Sequence, residues 1–199
     1  MSKIFEQMAV TYDTPERKNL AAKCTEVLEP IIKLRQSQTM IDIGGGTGLV
    51  SLPIAPLVDT LIIWDTAPTM VKLAQDKIDH QHLPNATATL HDFLKQPAQQ
   101  QADIILLSLV LLHIPDTKAV FDKVFALLRP HGICLIIDFE KNPEVAHPLV
   151  HNGFDQETLD TLSKDAGFID QQYQVFHQGP NLFMGKPARV CLYTANKPN

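Results

Sequence analysis

The stretch "IDIGGGTGLV", Ile41 to Val50, decides how this chain is read. A short apolar strand, "TMIDI" at 39–43, runs directly into Gly44, Gly45 and Gly46, with Gly48 following after Thr47. Glycine is costly beside a strand or helix. It is useful where the backbone needs positive φ or where a ligand must lie against it. Two ligand classes use such a turn between a buried strand and a helix. The dinucleotide pattern G-x-G-x-x-G requires a third glycine where Leu49 stands. Here the glycines instead read Gly44, Gly46, Gly48, and an acid, Asp42, precedes them. A carboxylate inside the turn repels a pyrophosphate and attracts a cationic group. A second acid, Asp65, ends the next strand, "TLIIWD", 23 residues after Asp42. A carboxylate there can accept hydrogen bonds from both hydroxyls of a ribose. A third, Asp92, ends "ATATLHD". Three acids at three successive strand ends suit an uncharged sugar and base joined to a positive group.

Working outward, strands and helices alternate. Thr14 and Pro15 open a helix as cap and first residue, with Leu20, Cys24, Val27, Leu28 and Ile31 at helical spacing. "LVSLPIAPLV" after the glycines is expected to be a short or kinked helix, because Pro53 and Pro56 interrupt it. "APTMVKLAQDKIDH" is a second helix, and the apolar "ADIILLSL" a fourth strand covered on both faces. "DTKAVFDKVFALL" is a helix capped by Asp116, and "HGICLIIDFE" a fifth strand. Polar "KQPAQQQ" at 95–101 is a loop. "DQETLDTLSKDAGF" is a helix with Asp155 before it and Gly167 after it. "DQQYQVFHQ" and "ARVCLYTAN" alternate as two antiparallel strands. The pattern predicts an α/β, doubly wound sheet of about seven strands, mostly parallel, with an antiparallel C-terminal strand.

The composition narrows the partners. The 199 residues suit one domain, and 17 Lys and Arg against 22 Asp and Glu give a net charge of -5, which argues against nucleic acid. Cys24, Cys134 and Cys191 are scattered, as reduced thiols of a cytoplasmic protein would be. "MSKIFEQMAV" is too polar for a signal peptide, and "IILLSLVLLHIP" is too short to span a membrane. His147 and His151 have a chelating spacing, but Pro148 between them opposes a regular helix, so no metal is expected.

As a set, these motifs resemble the class I S-adenosylmethionine-dependent methyltransferases. "IDIGGGTG" looks like their first motif and "WDTAPTMVKLAQ" like the segment with the ribose acid. "LHDF" looks like the adenine-side motif, and "ADIILLSLVLLHIPD" with "VFALLRPHGICLIIDF" like the fourth strand, next helix and fifth strand. The match runs from about Thr39 to Glu140. "IFEQMAVTYD" and "HNGFDQETLDTLSKDAGF" resemble the ends of the ubiquinone/menaquinone-biosynthesis type and other small-molecule methyltransferases. The resemblance implies a Rossmann-like fold and S-adenosyl-L-methionine as cofactor, with S-adenosyl-L-homocysteine as product. It implies that Gly44, Gly45, Gly46 and Gly48 pass under the methionine part, with Asp42 near its amino group. It further implies Asp65 on the ribose, Thr66 and Met70 near the adenine, Asp92 on the adenine amino group and Phe93 on the ring. Ser108 and Leu109 would border the methionine, and Tyr12 would lie in a covering segment. The chain is then one domain: a helical segment 1–38 over the site, a cofactor core 39–140, and an acceptor-side helix and strand pair 141–199.

Methyl transfer from a sulfonium needs alignment and exclusion of water, and a base only when the acceptor must lose a proton. His113 and His151 are the base candidates. Each competes with an ordinary hydrogen-bonded loop histidine, and Phe5, Met8 and Tyr12 as a lid compete with a helix packed on the sheet. The expected partner is a small-molecule acceptor, for a monomer or homodimer. The competing readings are a non-catalytic S-adenosylmethionine-binding protein, an NAD(P)-dependent oxidoreductase and a nucleic-acid methyltransferase. The last lacks both basic clusters and the N/D-P-P-Y/F motif.

Overall fold

The computed structural model describes residues 2–35, 38–97 and 100–199. Seven strands form one sheet in the order β3-β2-β1-β4-β5-β7-β6. They are β1 (Thr39–Ile43), β2 (Thr60–Asp65), β3 (Ala86–Leu90), β4 (Ala102–Ser108), β5 (Leu128–Phe139), β6 (Ile169–Phe183) and β7 (Lys186–Asn196). The helices are α1 (Ser2–Met8), α2 (Pro15–Lys33), α3 (Pro68–His80), α4 (Thr117–Leu127) and α5 (Gln156–Ala166). By contact density the chain divides into two compact units, Met1–Ala102 and Asp103–Asn199.

In the first unit, β1 pairs with β2 and β2 with β3, all parallel. Ile41, Ile43, Leu61 and Ile63 are buried, as continuous apolar strands under helices must be. Thr14 accepts the Arg17 N–H at the start of α2, as its sequence predicts. The buried face of that helix is Ala21, Cys24, Thr25, Leu28 and Ile32, rotated from the expected stripe; Leu20, Val27 and Ile31 are half-buried. Thr25 Oγ1 donates to the Ala21 and Val50 carbonyls. The segment after the glycines is a 3₁₀ helix, Leu52–Leu57, and not an interrupted α-helix. Pro56 removes the N–H an α-helix would use, whereas the tighter turn still buries Leu52, Ile54 and Ala55. Asn85 Nδ2 donates to the carbonyls of Ala55 and Val58 at its end. β3 stops at Leu90, so Asp92 lies two residues past the strand it was expected to end.

In the second unit, Asp116 accepts from Ala119 N–H at the start of α4, and Asp155 from Thr158 N–H at the start of α5. Gly167 ends α5 in the left-handed region, φ 100°. β7 pairs antiparallel with both β5 and β6, in accord with the expected C-terminal pair. Both β5 and β6 are longer than the sequence pattern suggested: β5 starts at Leu128, directly after α4, and β6 runs to Phe183. Part of the expected loop, residues 98–99, lies outside the described residues. Among the described residues no helix is long and apolar enough to cross a membrane.

Candidate functional site: the glycine turn and the turn after the fourth strand

The glycine turn is set by two hydrogen bonds onto β2: Gly44 N–H and Gly45 N–H both donate to the Trp64 carbonyl, at 2.7 and 3.2 Å. Gly44, Gly46 and Gly48 have φ of 69°, 57° and 77°, where side chains are strained. Gly45 is glycine for another reason. A Cβ there would lie 2.7 Å from Asp42 Cγ, with Oδ2 closer still, and 2.8 Å from Ile63 Cγ2. At Gly46, by contrast, the nearest atom to a Cβ would be Met70 Sδ, 4.0 Å away. The turn therefore has a packed floor at Gly45 and an open space at Gly46.

Asp42 is 1% exposed. Burial pushes its carboxyl up to about 7, helped by the negative charge of Asp65 and opposed by the nearby Ser51 hydroxyl. Asp42 Oδ1 and Ser51 Oγ are both buried, and neither makes a hydrogen bond of normal geometry among the described residues. A buried acceptor without a donor costs free energy, so Asp42 Oδ1 is suited to a donor brought by a ligand.

Asp65 joins the two turns of the first unit. Its Oδ2 accepts from Gly46 N–H at 2.9 Å, and its Oδ1 from Ala67 N–H at 2.8 Å. Burial raises its pKa, opposed by the N–H groups of Ala67, Gly46 and Thr66. Thr66 is exposed beside it, and Met70 is buried with Ala9 and Ala67, against which Phe5, Tyr12 and Leu73 pack. α3 has no side-chain cap of its own, because its N-cap residue is Ala67. Glu6 of α1 supplies one instead, accepting from both Thr69 N–H, at 3.0 Å, and Thr69 Oγ1.

Three residues that the sequence did not single out tie the N-terminal segment to the glycine turn. Asp13 accepts from Thr47 Oγ1 at 2.6 Å and pairs with Lys77 Nζ at 2.6 Å. Lys77 also donates to the Thr47 carbonyl at 2.8 Å. The Arg17 guanidinium lies 4.2 Å above the Tyr12 ring and donates to the Tyr12 carbonyl. Burial raises the Tyr12 pKa despite that cation. Asp92 serves its own loop, accepting from Leu94 N–H at 3.2 Å and pairing with Lys95 Nζ at 3.0 Å; Phe93 next to it is buried.

In the second unit, β4 ends at Ser108, whose Oγ is buried with no hydrogen bond among the described residues. Leu109 follows at φ 55°, an uncommon conformation for a bulky residue and a frequent mark of functional turns. A 3₁₀ turn, Leu111–His113, comes next. Burial pushes the His113 imidazole down to about 4, helped by His147, so it is neutral at neutral pH. His151 donates its main-chain N–H to the Leu112 carbonyl at 2.8 Å. Its Nε2 is 2.9 Å from the Ile114 carbonyl, which can only accept, so Nε2 carries a proton and donates it. His113 and His151 thus meet on one turn. Among the described residues no group of three or more His, Cys, Asp or Glu could hold a metal ion.

The family described as "Methyltransferase domain" matches residues 34–177, more than two thirds of the chain. The chain belongs to the methyltransferase domain family. The match covers the glycine turn, Asp65 and both candidate histidines, in a sheet with the class I S-adenosylmethionine-dependent methyltransferase architecture. Among curated relatives, the ubiquinone biosynthesis O-methyltransferase of Psychrobacter arcticus is 27% identical over 168 residues, covering 71% of this chain and 63% of the relative. This member of the family therefore spans less than two thirds of that relative's length. Among solved structures, Haemonchus contortus phosphoethanolamine N-methyltransferase 2 in complex with S-adenosyl-L-methionine superposes with a TM-score of 0.74 at 15% identity, covering 89% of this chain and 53% of that one. The [4+2]-cyclase SpnF gives 0.69 at 16%, covering 92% and 81%. A shared fold thus carries more than one kind of chemistry, and this family member's function is decided at its site.

Of the expected residues, Asp42, Gly45, Gly46, Asp65 and Met70 are brought together in the first unit, with Tyr12 on the Met70 cluster. Ser108, Leu109, His113 and His151 share one end of the second. Thr47, Asp13, Lys77 and Glu6 escaped sequence reasoning, because each acts on a partner distant in the chain. Only the place of Thr47 inside the glycine motif offered a signal.

Proposed function

We propose that the chain is an S-adenosylmethionine-dependent methyltransferase that transfers the methyl group in line to a small-molecule acceptor, releasing S-adenosylhomocysteine. The observation that carries this is the orphaned, buried Oδ1 of Asp42, four residues before Gly46, where a Cβ would have room. A ligand with a cationic donor and a slender chain fits both features, whereas a pyrophosphate has no donor for Asp42. Under this reading Asp42 takes the ammonium, and Gly44, Gly45, Gly46 and Gly48 face the methionine portion. Asp65 holds the ribose hydroxyls with its remaining lone pairs. Thr66, Met70, Asp92 and Phe93 serve the adenine, with Asp92 turning from Lys95 to do so. Ser108 and Leu109 border the methionine, and Tyr12 covers it.

When bound, the cofactor supplies a methyl group already activated by positive sulfur. What remains for the protein is to align the acceptor, exclude water and, for a protonated acceptor, take up a proton. His113, neutral at neutral pH, is the group for that last task. The whole chain then acts as one methyltransferase domain, with residues 141–199 on the acceptor side and the protein in the cytoplasm. The small-molecule chemistry is supported by the net charge of -5 and by relatives such as the ubiquinone biosynthesis O-methyltransferase.

Calorimetric titration with S-adenosylmethionine, S-adenosylhomocysteine and NAD, on wild type and Asp65→Ala, tests the reading. The expected outcome is binding of the first two, no binding of NAD, and heavy loss in the variant. Binding of NAD, or of none of the three, overturns it.

A further inference from the structure

Asp138, one residue from the end of β5, is fully buried, and the proposed methyl transfer gives it no part. The donors to it are main-chain N–H groups. Its Oδ1 accepts from Phe139 at 2.8 Å and its Oδ2 from Leu112 at 3.0 Å, and Leu111 N–H also bonds to the carboxylate. Leu111 and Leu112 open the 3₁₀ turn that follows β4. Asp138 is therefore the cap of a turn 26 residues earlier in the chain.

The same turn is held from its other end. Its carbonyls at Leu112 and Ile114 accept from the main chain and the ring of His151. His151 is kept there because Phe154 N–H donates to the Phe139 carbonyl and Lys141 N–H to the Phe154 carbonyl. Gly153 permits this pairing: at φ 95° it passes so close to Glu140 that a Cβ would lie 2.7 Å from the carbonyl carbon. Leu109 N–H donates to the Ile137 carbonyl at 2.7 Å, which fixes the strained start of the turn. The N–H groups of Leu111 and Leu112 thus go to Asp138, and the carbonyls of Leu112 and Ile114 to His151. Burying a carboxylate without a cation is unfavourable for stability.

We propose that Asp138 is a positioning residue: with His151 as the opposing clamp, it holds the turn 109–114 so that the His113 imidazole is presented in one orientation. This assigns His151 a structural part in the site and leaves His113 as its base. The proposal rests on the methyl-transfer reading for its purpose, but the clamp itself is measurable without cofactor or acceptor.

The test is a pH titration of the protein followed by NMR at the amides of Leu112 and Phe139 and at the His113 ring. The neighbouring titratable groups on β7 and β6, Cys191 and Tyr173, are pushed up by burial and keep their protons near neutrality; Glu140, which Tyr173 also contacts, is followed alongside. The expected result is one inflection near neutral pH shared by both amides and the His113 ring, lost from all three in Asp138→Asn. An inflection at the amides that the His113 ring does not follow overturns the proposal, as does an Asn variant in which the ring signals are unchanged. If Asp138→Asn does not fold, the wild-type titration alone decides by the same criterion. S-adenosylhomocysteine calorimetry on the same wild-type sample separates failure of the clamp from failure of the methyltransferase reading.

Discussion

Gly45 and Gly46 are adjacent and lack side chains for different reasons. At Gly45 a methyl group meets the Asp42 carboxyl and Ile63, neither of which can retreat in a packed floor. Gly45→Ala is expected to cost about 1–3 kcal/mol of stability through overpacking, read as a lower denaturation midpoint. At Gly46 the methyl group enters open space at φ 57°, so Gly46→Ala carries only a backbone cost of about 1–2 kcal/mol. The Gly46 variant should stay folded and lose at least about tenfold in S-adenosylhomocysteine affinity, equivalent to about 1.4 kcal/mol. Calorimetry beside thermal unfolding distinguishes the two. Equal loss of affinity and stability at both positions would contradict the assignment of floor and open space.

At the scale of elements, ends of helices are satisfied by residues from elsewhere in the chain. Glu6 and Asp65 serve the start of α3, where Ala67 has no side chain to offer. Lys197 Nζ donates to the Phe125 and Leu128 carbonyls at 2.8 and 2.7 Å, closing the end of α4, and lies 4.7 Å above the Phe125 ring. Orphan carbonyls at a helix C-terminus favour such a cation. Lys197→Met, which keeps the apolar stem, is expected to cost about 1–2 kcal/mol in urea unfolding; an unchanged midpoint would show that water replaces the ammonium without loss. The caps that Thr14, Asp116 and Asp155 provide were legible in the sequence because cap and helix are contiguous. Those of Glu6 and Lys197 were not, since partners 63 and up to 72 residues apart leave no local pattern.

For the molecule as a whole, the two fully buried acids set a dependence of stability on pH. Burial raises both Asp42 and Asp138 to about 7 in the folded state, above the ordinary carboxylate value they have when unfolded. Between those values the folded protein holds protons that the unfolded chain releases, so stability falls as pH rises. Their favourable contribution is complete below the unfolded value and is lost as pH passes through about 7. Thermal unfolding is expected at lower temperature above neutrality than in mild acid, with a shallower slope in Asp42→Asn. His113, lowered to about 4, acts in the opposite sense between that value and its ordinary one, and the salt-bridged Asp155, lowered to about 2 by Lys141 and Thr158, does so only in strong acid. A slope that is the same in wild type and Asp42→Asn would overturn the assignment.

The sequence by itself determined the order of strands and helices, the glycine turn with its two acids, and the local caps. All of these depend on residues close in the chain or on hydrophobic period. It also marked Pro53 and Pro56 as a break, though not the 3₁₀ helix that follows from them. Only the tertiary structure decided which acid has an unanswered oxygen and that Asp13, Thr47 and Lys77 form one network. It alone gave His151 its place as the clamp opposite Asp138. The physical reason is common to these cases. Burial and hydrogen-bond partnership depend on which distant backbone groups arrive beside a side chain, and that is fixed when the sheet assembles.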